Sequence, residues 1–288
     1  TRNRSGGAVA HIVGIFSNFS PSEYRIDRVY LWGHKNLIDK IPDYPWLIKI
    51  VPKCTEGTIF RQLAWQYFVL PEELNKLNCD LVFNTDAGTV CPFKPCITLS
   101  QDMLSFEPGE MSRFGFGKSR LRLWLLKHFQ VRSLKKANVA LYLTNYAREV
   151  ITSNYESNNE NAVINHGINE SFFGVASNKK LHNKDKFKII YVSNTALYKH
   201  QWKVVEAVAR LASEGSDVEL LLVGGGTGRG QRLLEDSIDK FDPKREFVTQ
   251  LEYVDNNKIP DLLAEAQLFL FASSCENMPI TLMEGMAS

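Results

Sequence analysis

Long apolar runs are missing from this sequence. None approaches the roughly 20 residues that a helix needs to cross a bilayer. Runs such as Leu220–Val223 and Leu268–Ala272 have the length of buried strands. A cysteine framework is missing as well. Five cysteines (Cys54, Cys79, Cys91, Cys96, Cys275) form an odd set without disulfide or zinc spacing, and no histidine cluster accompanies the Cys91/Cys96 pair. Few thiols without such a pattern suit a reducing, cytoplasmic setting, in which Asn-x-Ser triplets such as Asn18-Phe19-Ser20 carry no glycan. Charge of one sign is absent too: 34 basic residues stand against 32 acidic ones, so bulk charge names no partner and nucleic-acid binding is disfavoured. Repeats and low-complexity tracts are lacking.

What remains is a globular composition, 44% hydrophobic and 11% aromatic, in 288 residues, enough for two α/β domains. The first half alternates short apolar runs with helical stretches, the pattern of a parallel sheet covered by helices. Strands are expected at Asp27–Leu31, Leu81–Asn84, Cys96–Ser100, Val139–Leu143 and Ala162–Asn165. Helices are expected at Ala8–Phe16, Leu63–Asn78, Ser119–Ala137 and Asn145–Ser153. A polar stretch, Ser177–Lys186, reads as a linker between domains at 1–176 and 187–288. Beyond it a βαβ series is expected: strand Lys188–Val192, helix Lys199–Ser213 stopped by Gly215, and strand Val218–Val223. A helix to about Lys240, strand Phe247–Gln250, helix Ile259–Ala266 and strand Leu268–Ala272 follow.

Chemistry gathers at the end. Glu276 falls in the loop after the last strand, at a carboxyl edge where open α/β sheets hold ligands. Pro279 suits the first position of a helix, whose free amides through Leu282 offer an anion site. Glu284, eight residues beyond Glu276, suits an acceptor for a ribose hydroxyl. An acidic first turn that merely stabilises its own helix is the plainer alternative. Lys199, at the start of a helix after a strand, can reach a diphosphate over the same edge; by itself it reads as a solvated surface lysine. The turn Gly224-Gly225-Gly226-Thr227-Gly228-Arg229-Gly230 lacks the spacing of a nicotinamide fingerprint and is either a nucleotide loop or a flexible turn.

The segment Ser273–Glu284 resembles the Glu-x7-Glu motif of retaining GT-B glycosyltransferases, family 4, the glycosyl transferases group 1. The likeness extends over Tyr191–Asn194, Tyr198–Trp202, Leu222–Gly226, Leu143–Arg148 and Val163–Asn169. It implies two Rossmann-like domains facing across a cleft, acceptor domain first, with a donor domain cut short at Ser288. It further implies metal-independent transfer from a nucleotide-sugar, which serves as co-substrate in place of any cofactor, with retention of configuration. No Asp-x-Asp triplet, the metal-holding motif of the other glycosyltransferase fold, occurs. The resemblance assigns donor contacts to Gly6 and Gly7, to Ser193, Asn194 and Lys199, to Gly224 and Gly225, and to Asn277, Met278, Pro279, Ile280 and Glu284. Catalysis falls to Glu276 and Lys199, with Gln101 and Asp102 where relatives carry His-Asp or His-Asn. Gln101 can hydrogen-bond a sugar but not act as acid or base; Asp102 is a catalytic carboxylate or a loop cap. Asn194 stands where many relatives carry an arginine that neutralises the leaving diphosphate.

From Met111 to Arg148 no acidic residue occurs. Nine basic residues there, from Arg113 onward, interleave with Trp124, Phe129 and several leucines. Such a stretch suits either peripheral contact with an anionic membrane, fitting a lipid-linked or glycan acceptor at the inner face, or a core helix with a solvated basic face. A nucleotide-sugar epimerase of the same fold and a catalytically decayed nucleotide-sugar-binding protein are the rival readings, the latter motivated by Gln101 and Asn194.

Overall fold

The computed structural model of the chain describes residues 7–156, 159–174 and 186–288. The chain divides into two compact units, Thr1–Gly167 and Ile168–Ser288.

In the first unit, helix α1 (Gly7–Asn18) buries Val9 and Ile12 against strand β1 (Val29–Trp32), the short helix α2 (Lys35–Ile38) and strand β2 (Leu47–Ile50). β1 and β2 pair in parallel. β2 is absent from the sequence expectations. Its signal was a β-prone run, Leu47 to Val51, bounded by Pro45 and Pro52.

The single helix expected at Leu63–Asn78 is instead three pieces. Helix α3 (Ile59–Ala64) is capped by the Thr58 hydroxyl, a π-turn spans Trp65–Val69, and helix α4 (Leu70–Lys76) follows with Pro71 in its first turn. Proline supplies no N–H and crowds the preceding turn, so the ladder widens locally.

Strands β3 (Val82–Asn84), β4 (Cys96–Ser100), β5 (Val139–Tyr142) and β6 (Glu160–Val163) form a parallel sheet in that order. Helix α5 (Lys118–Lys136) connects β4 to β5, and helix α6 (Asn145–Thr152) connects β5 to β6. The Thr144 hydroxyl accepts the Ala147 N–H at 3.0 Å and starts α6.

The second unit begins before the polar stretch. Phe172, 1% exposed, already packs against Ile190, Val192 and Leu263. Residues 177–185 of the expected linker lie outside the described residues. Strands β7 (Phe187–Val192), β8 (Val218–Val223) and β9 (Val248–Leu251) alternate with helices α7 (Gln201–Ser213), α8 (Arg229–Phe241) and α9 (Ile259–Glu265). Strand β10 (Leu268–Phe269) and helix α10 (Ile280–Ala287) complete the described chain. The sheet is parallel with order β10-β7-β8-β9.

Both faces of this sheet are covered, which is why its strands read as continuous apolar runs. Ile189, Tyr191, Leu220 and Leu222 pack against Val204, Val205, Val208, Leu234 and Ile238 of α7 and α8. Ile190, Val192 and Val223 pack on the opposite side with Ile259 and Leu263 of α9.

The strand order fixes where a ligand belongs. From β7 the chain moves outward through β8 and β9, then returns to place β10 on the other side of β7. The loops after β7 and β10 therefore diverge, and a crevice opens at their carboxyl ends. Gly215 ends α7 in the left-handed conformation, φ 92°, which glycine adopts without strain.

Candidate functional site

The crevice between the β7 and β10 loops is built from its backbone outward. β7 ends at Val192, and the Ser193 N–H donates to the Val223 carbonyl at 2.8 Å, extending the ladder one residue. Gly224 follows β8 with φ 122°. A Cβ there would lie 2.2 Å from the Ser193 carbonyl oxygen, so only glycine allows the two loops to approach this closely. The Gln201 amide donates to the carbonyls of Ser193 and Asn194, at 3.2 and 3.0 Å, tying the loop to α7. Asn194 itself is exposed and Ser193 buried.

Lys199 corrects the sequence reading in one respect. It does not open the helix: it ends a 3-10 turn, Leu197–Lys199, and His200 at φ 54° separates that turn from α7. The turn draws the lysine inward, leaving it 8% exposed. Its ammonium pairs with the Glu276 carboxylate from the β10 loop. It also sits over the Tyr198 and Phe271 rings, 5.2 and 5.5 Å from their centroids, where the ring faces favour a cation. The fully buried Tyr191 hydroxyl donates to the Lys199 carbonyl at 2.7 Å. Burial pushes the pKa of Tyr191 up to about 12, so it remains a neutral donor. Across the crevice, the Ser274 N–H donates to the Tyr198 carbonyl at 2.8 Å, and the Ser274 hydroxyl and His200 Nε2 are hydrogen-bonded at 2.9 Å. Two loops 77 residues apart in sequence thus share one charged centre.

Strand β10 is shorter than the expected Leu268–Ala272: its ladder with β7 covers only Leu268 and Phe269. The chain then leaves the sheet, with one further bond from the Leu270 N–H to the Ile190 carbonyl. Asn277, Met278 and Pro279 are half-buried in the loop that follows. Pro279 caps α10 and its carbonyl accepts the Leu282 N–H at 3.1 Å, so that amide is already used. The N–H groups of Ile280 and Thr281, in the first turn, have no intrahelical acceptor.

Glu284 is 4% exposed. Burial, with no offsetting contact among the described residues, raises its pKa to about 7. Gly285 follows because α10 presses on β10: a Cβ there would come 2.6 Å from the Phe269 ring.

The site residues expected in the first unit stand apart from this centre in sequence and are placed as follows. Gly6 lies outside the described residues, and Gly7 is the exposed first residue of α1 rather than part of a turn. Gln101 is half-buried just past β4. Asp102 is exposed, and its carboxylate accepts the Leu104 N–H at 2.9 Å, the geometry of a loop cap. All five cysteines are free. Among the described residues no group of His, Cys, Asp and Glu could hold a metal ion.

Tyr191, His200 and Phe271 escaped the sequence reading. Tyr191 and Phe271 look like ordinary strand residues, and only the return of β10 beside β7 gives them a charge to face.

Residues 174–288 match the family Glycosyl transferases group 1. No curated protein matches the sequence. Among solved structures, the chain resembles sucrose-phosphate synthase of Thermosynechococcus elongatus at 15% identity and TM-score 0.72, covering 98% of this chain and 74% of that one. It resembles Anabaena HepE in complex with UDP and glucose at 17% identity and TM-score 0.65, covering 99% and 77%. A variant of S. aureus TarM in complex with Fondaparinux, alpha-GlcNAc-glycerol and UDP shows 16% identity and TM-score 0.56 over 75% of this chain, which spans 42% of the TarM chain. These likenesses show the fold: two α/β, Rossmann-like units of the GT-B class. The family match covers the whole charged crevice.

Proposed function

We propose that the chain is a glycosyltransferase of family 4 that moves a sugar from a nucleotide-sugar onto a glycan or lipid-linked glycan acceptor, retaining anomeric configuration, in polysaccharide biosynthesis on the cytoplasmic side of a membrane. One observation carries the reading: the pair of buried Lys199 with half-buried Glu276 at the sheet's switch point, inside the segment that matches glycosyl transferases group 1.

Breaking the bond between a sugar and a nucleoside diphosphate leaves negative charge on the diphosphate, so stabilising that charge is the main electrostatic task. Lys199 is pre-positioned for it, held by the Tyr191 hydroxyl at its carbonyl and by two aromatic rings beneath its ammonium. Without donor, Glu276 balances the lysine. A bound diphosphate brings more negative charge and competes for the ammonium, which frees Glu276 to accept sugar hydroxyls. The Ile280 and Thr281 amides and the positive end of α10 add to the phosphate site. Ser193, Asn194, Gly224 and Gly225 form the loops nearest the nucleotide, and Glu284 takes a ribose hydroxyl. The family resemblance assigns Gln101 and Asp102 to the transferred sugar. No step requires a metal.

HepE and TarM are seen with UDP, so uridine nucleotide-sugars are the first donors to test. The experiment follows free nucleoside diphosphate with and without acceptor, in the parent and in Lys199→Met. Release that needs acceptor, and falls with the variant, is expected. Acceptor-independent release, or full turnover by Lys199→Met, would overturn the reading. Binding without turnover is the result expected of a decayed nucleotide-sugar-binding protein.

A further inference from the structure

Helix α5 buries one side among the described residues and leaves a second, apolar side exposed. Leu123, Gln130, Ser133 and Leu134 face the unit's interior and are buried. At 100° per residue the positions turned away from that side include 121, 124, 125 and 129. These are Leu121, Trp124, Leu125 and Phe129, which are 59%, 49%, 44% and 40% exposed. They form a stripe at i, i+3, i+4 and i+8, the spacing a helix uses to bury one face. Just before the helix, Phe116 is fully exposed, with the Arg120 guanidinium 5.0 Å over its ring.

Charge on this face has one sign. Lys118, Arg122, Arg132 and Lys136 are exposed along the same side, and no carboxylate pairs with them among the described residues. The sequence from Met111 to Arg148 contains no acidic residue at all. A solvated helix face ordinarily mixes signs, and a face that binds a folded acidic partner needs no line of Trp, Leu and Phe along its crest. An apolar crest flanked by long basic side chains fits one environment well. The rings and leucines enter the acyl boundary while lysine and arginine stems lie along it and raise their charges to anionic headgroups. Trp124 is suited to that boundary because its indole is amphipathic. Its ring packs against His128 at 4.1 Å between centroids.

We propose that this outward face of α5 docks the protein on an anionic membrane, with Leu121, Trp124, Leu125 and Phe129 inserted and the basic residues on phosphate. The inference stands independently of the donor-site reading, since α5 lies wholly in the first unit.

The test is co-sedimentation of the chain with vesicles of phosphatidylcholine alone or mixed with phosphatidylglycerol, at low and moderate salt. Binding to the mixed vesicles only is expected. The double substitution Trp124→Ser/Leu125→Ser, at exposed positions, should keep the parent's circular dichroism and bind at least about tenfold more weakly. Quenching of tryptophan fluorescence by brominated lipid should occur in the parent and largely vanish in Trp124→Phe. No binding to mixed vesicles, equal binding to neutral ones, or parent-like binding by the double variant would each overturn the proposal. Concentration-dependent self-association through the same face, without lipid binding, would assign the face to a protein partner and overturn it too.

Discussion

Glu284 offers a test in which stability and binding should move in opposite directions. Its carboxyl is buried in α10 and its pKa is raised from the ordinary 4.5 to about 7 by desolvation. A folded-state pKa above the unfolded one means that the folded protein binds the proton more tightly. Stability therefore falls as pH rises from 4.5 to 7 and stays low above that range. Moving the equilibrium that far is worth roughly 3 kcal/mol. Glu284→Gln keeps the shape and removes the charge. Urea unfolding should show the variant more stable than the parent by about 2–3 kcal/mol at pH 8, and by less than about 1 kcal/mol at pH 5. A residue kept at such a cost needs a use, and accepting ribose hydroxyls is the proposed one. Calorimetric titration with nucleoside diphosphate should show parent binding tightening through pH 7, and the variant roughly tenfold weaker at pH 8 without that dependence. A stability difference that is the same at both pH values would refute the desolvation argument. Unchanged nucleotide affinity would refute the ribose contact.

Glu276→Gln, which keeps a carbonyl oxygen to accept from the buried Lys199 ammonium, should abolish transfer while leaving the fold intact; turnover at the parent rate, with the carboxylate gone, would show that the pair is not catalytic. Asn194→Arg should tighten nucleoside diphosphate binding, more so at low salt, because position 194 is exposed beside the Lys199 turn; an affinity indifferent to salt and equal to the parent's would place it away from the phosphates. Gly224→Ala should destabilise the second unit by roughly 3 kcal/mol in denaturant unfolding, from a positive φ and a Cβ 2.2 Å from the Ser193 carbonyl; a loss under about 1 kcal/mol would show that the β7 and β8 loops separate easily.

Periodicity and punctuation alone determined much of this protein. The apolar runs of β7 and β8 mark buried strands and Gly215 marks the end of α7, because these signals act within a few residues. The loop position of Glu276 was equally local, following from a strand before it and a proline after it. Where local rules met a tertiary demand, the sequence fell short. β2 is a short run whose strand character depends on pairing with β1, and the π-turn at Trp65–Val69 answers to Pro71 in the helix beyond it. Only the tertiary structure decided what Lys199 is. A lysine after a strand is ordinarily solvated, and nothing nearby in the sequence says otherwise. The return of β10 to the far side of β7 brings a carboxylate from 77 residues away. The same return sets Phe271 under the ammonium, and the 3-10 turn keeps the lysine buried. Burial also separates the two carboxylates of one motif: Glu276 has a cation beside it, whereas Glu284 has none among the described residues, and desolvation holds its proton near neutral pH.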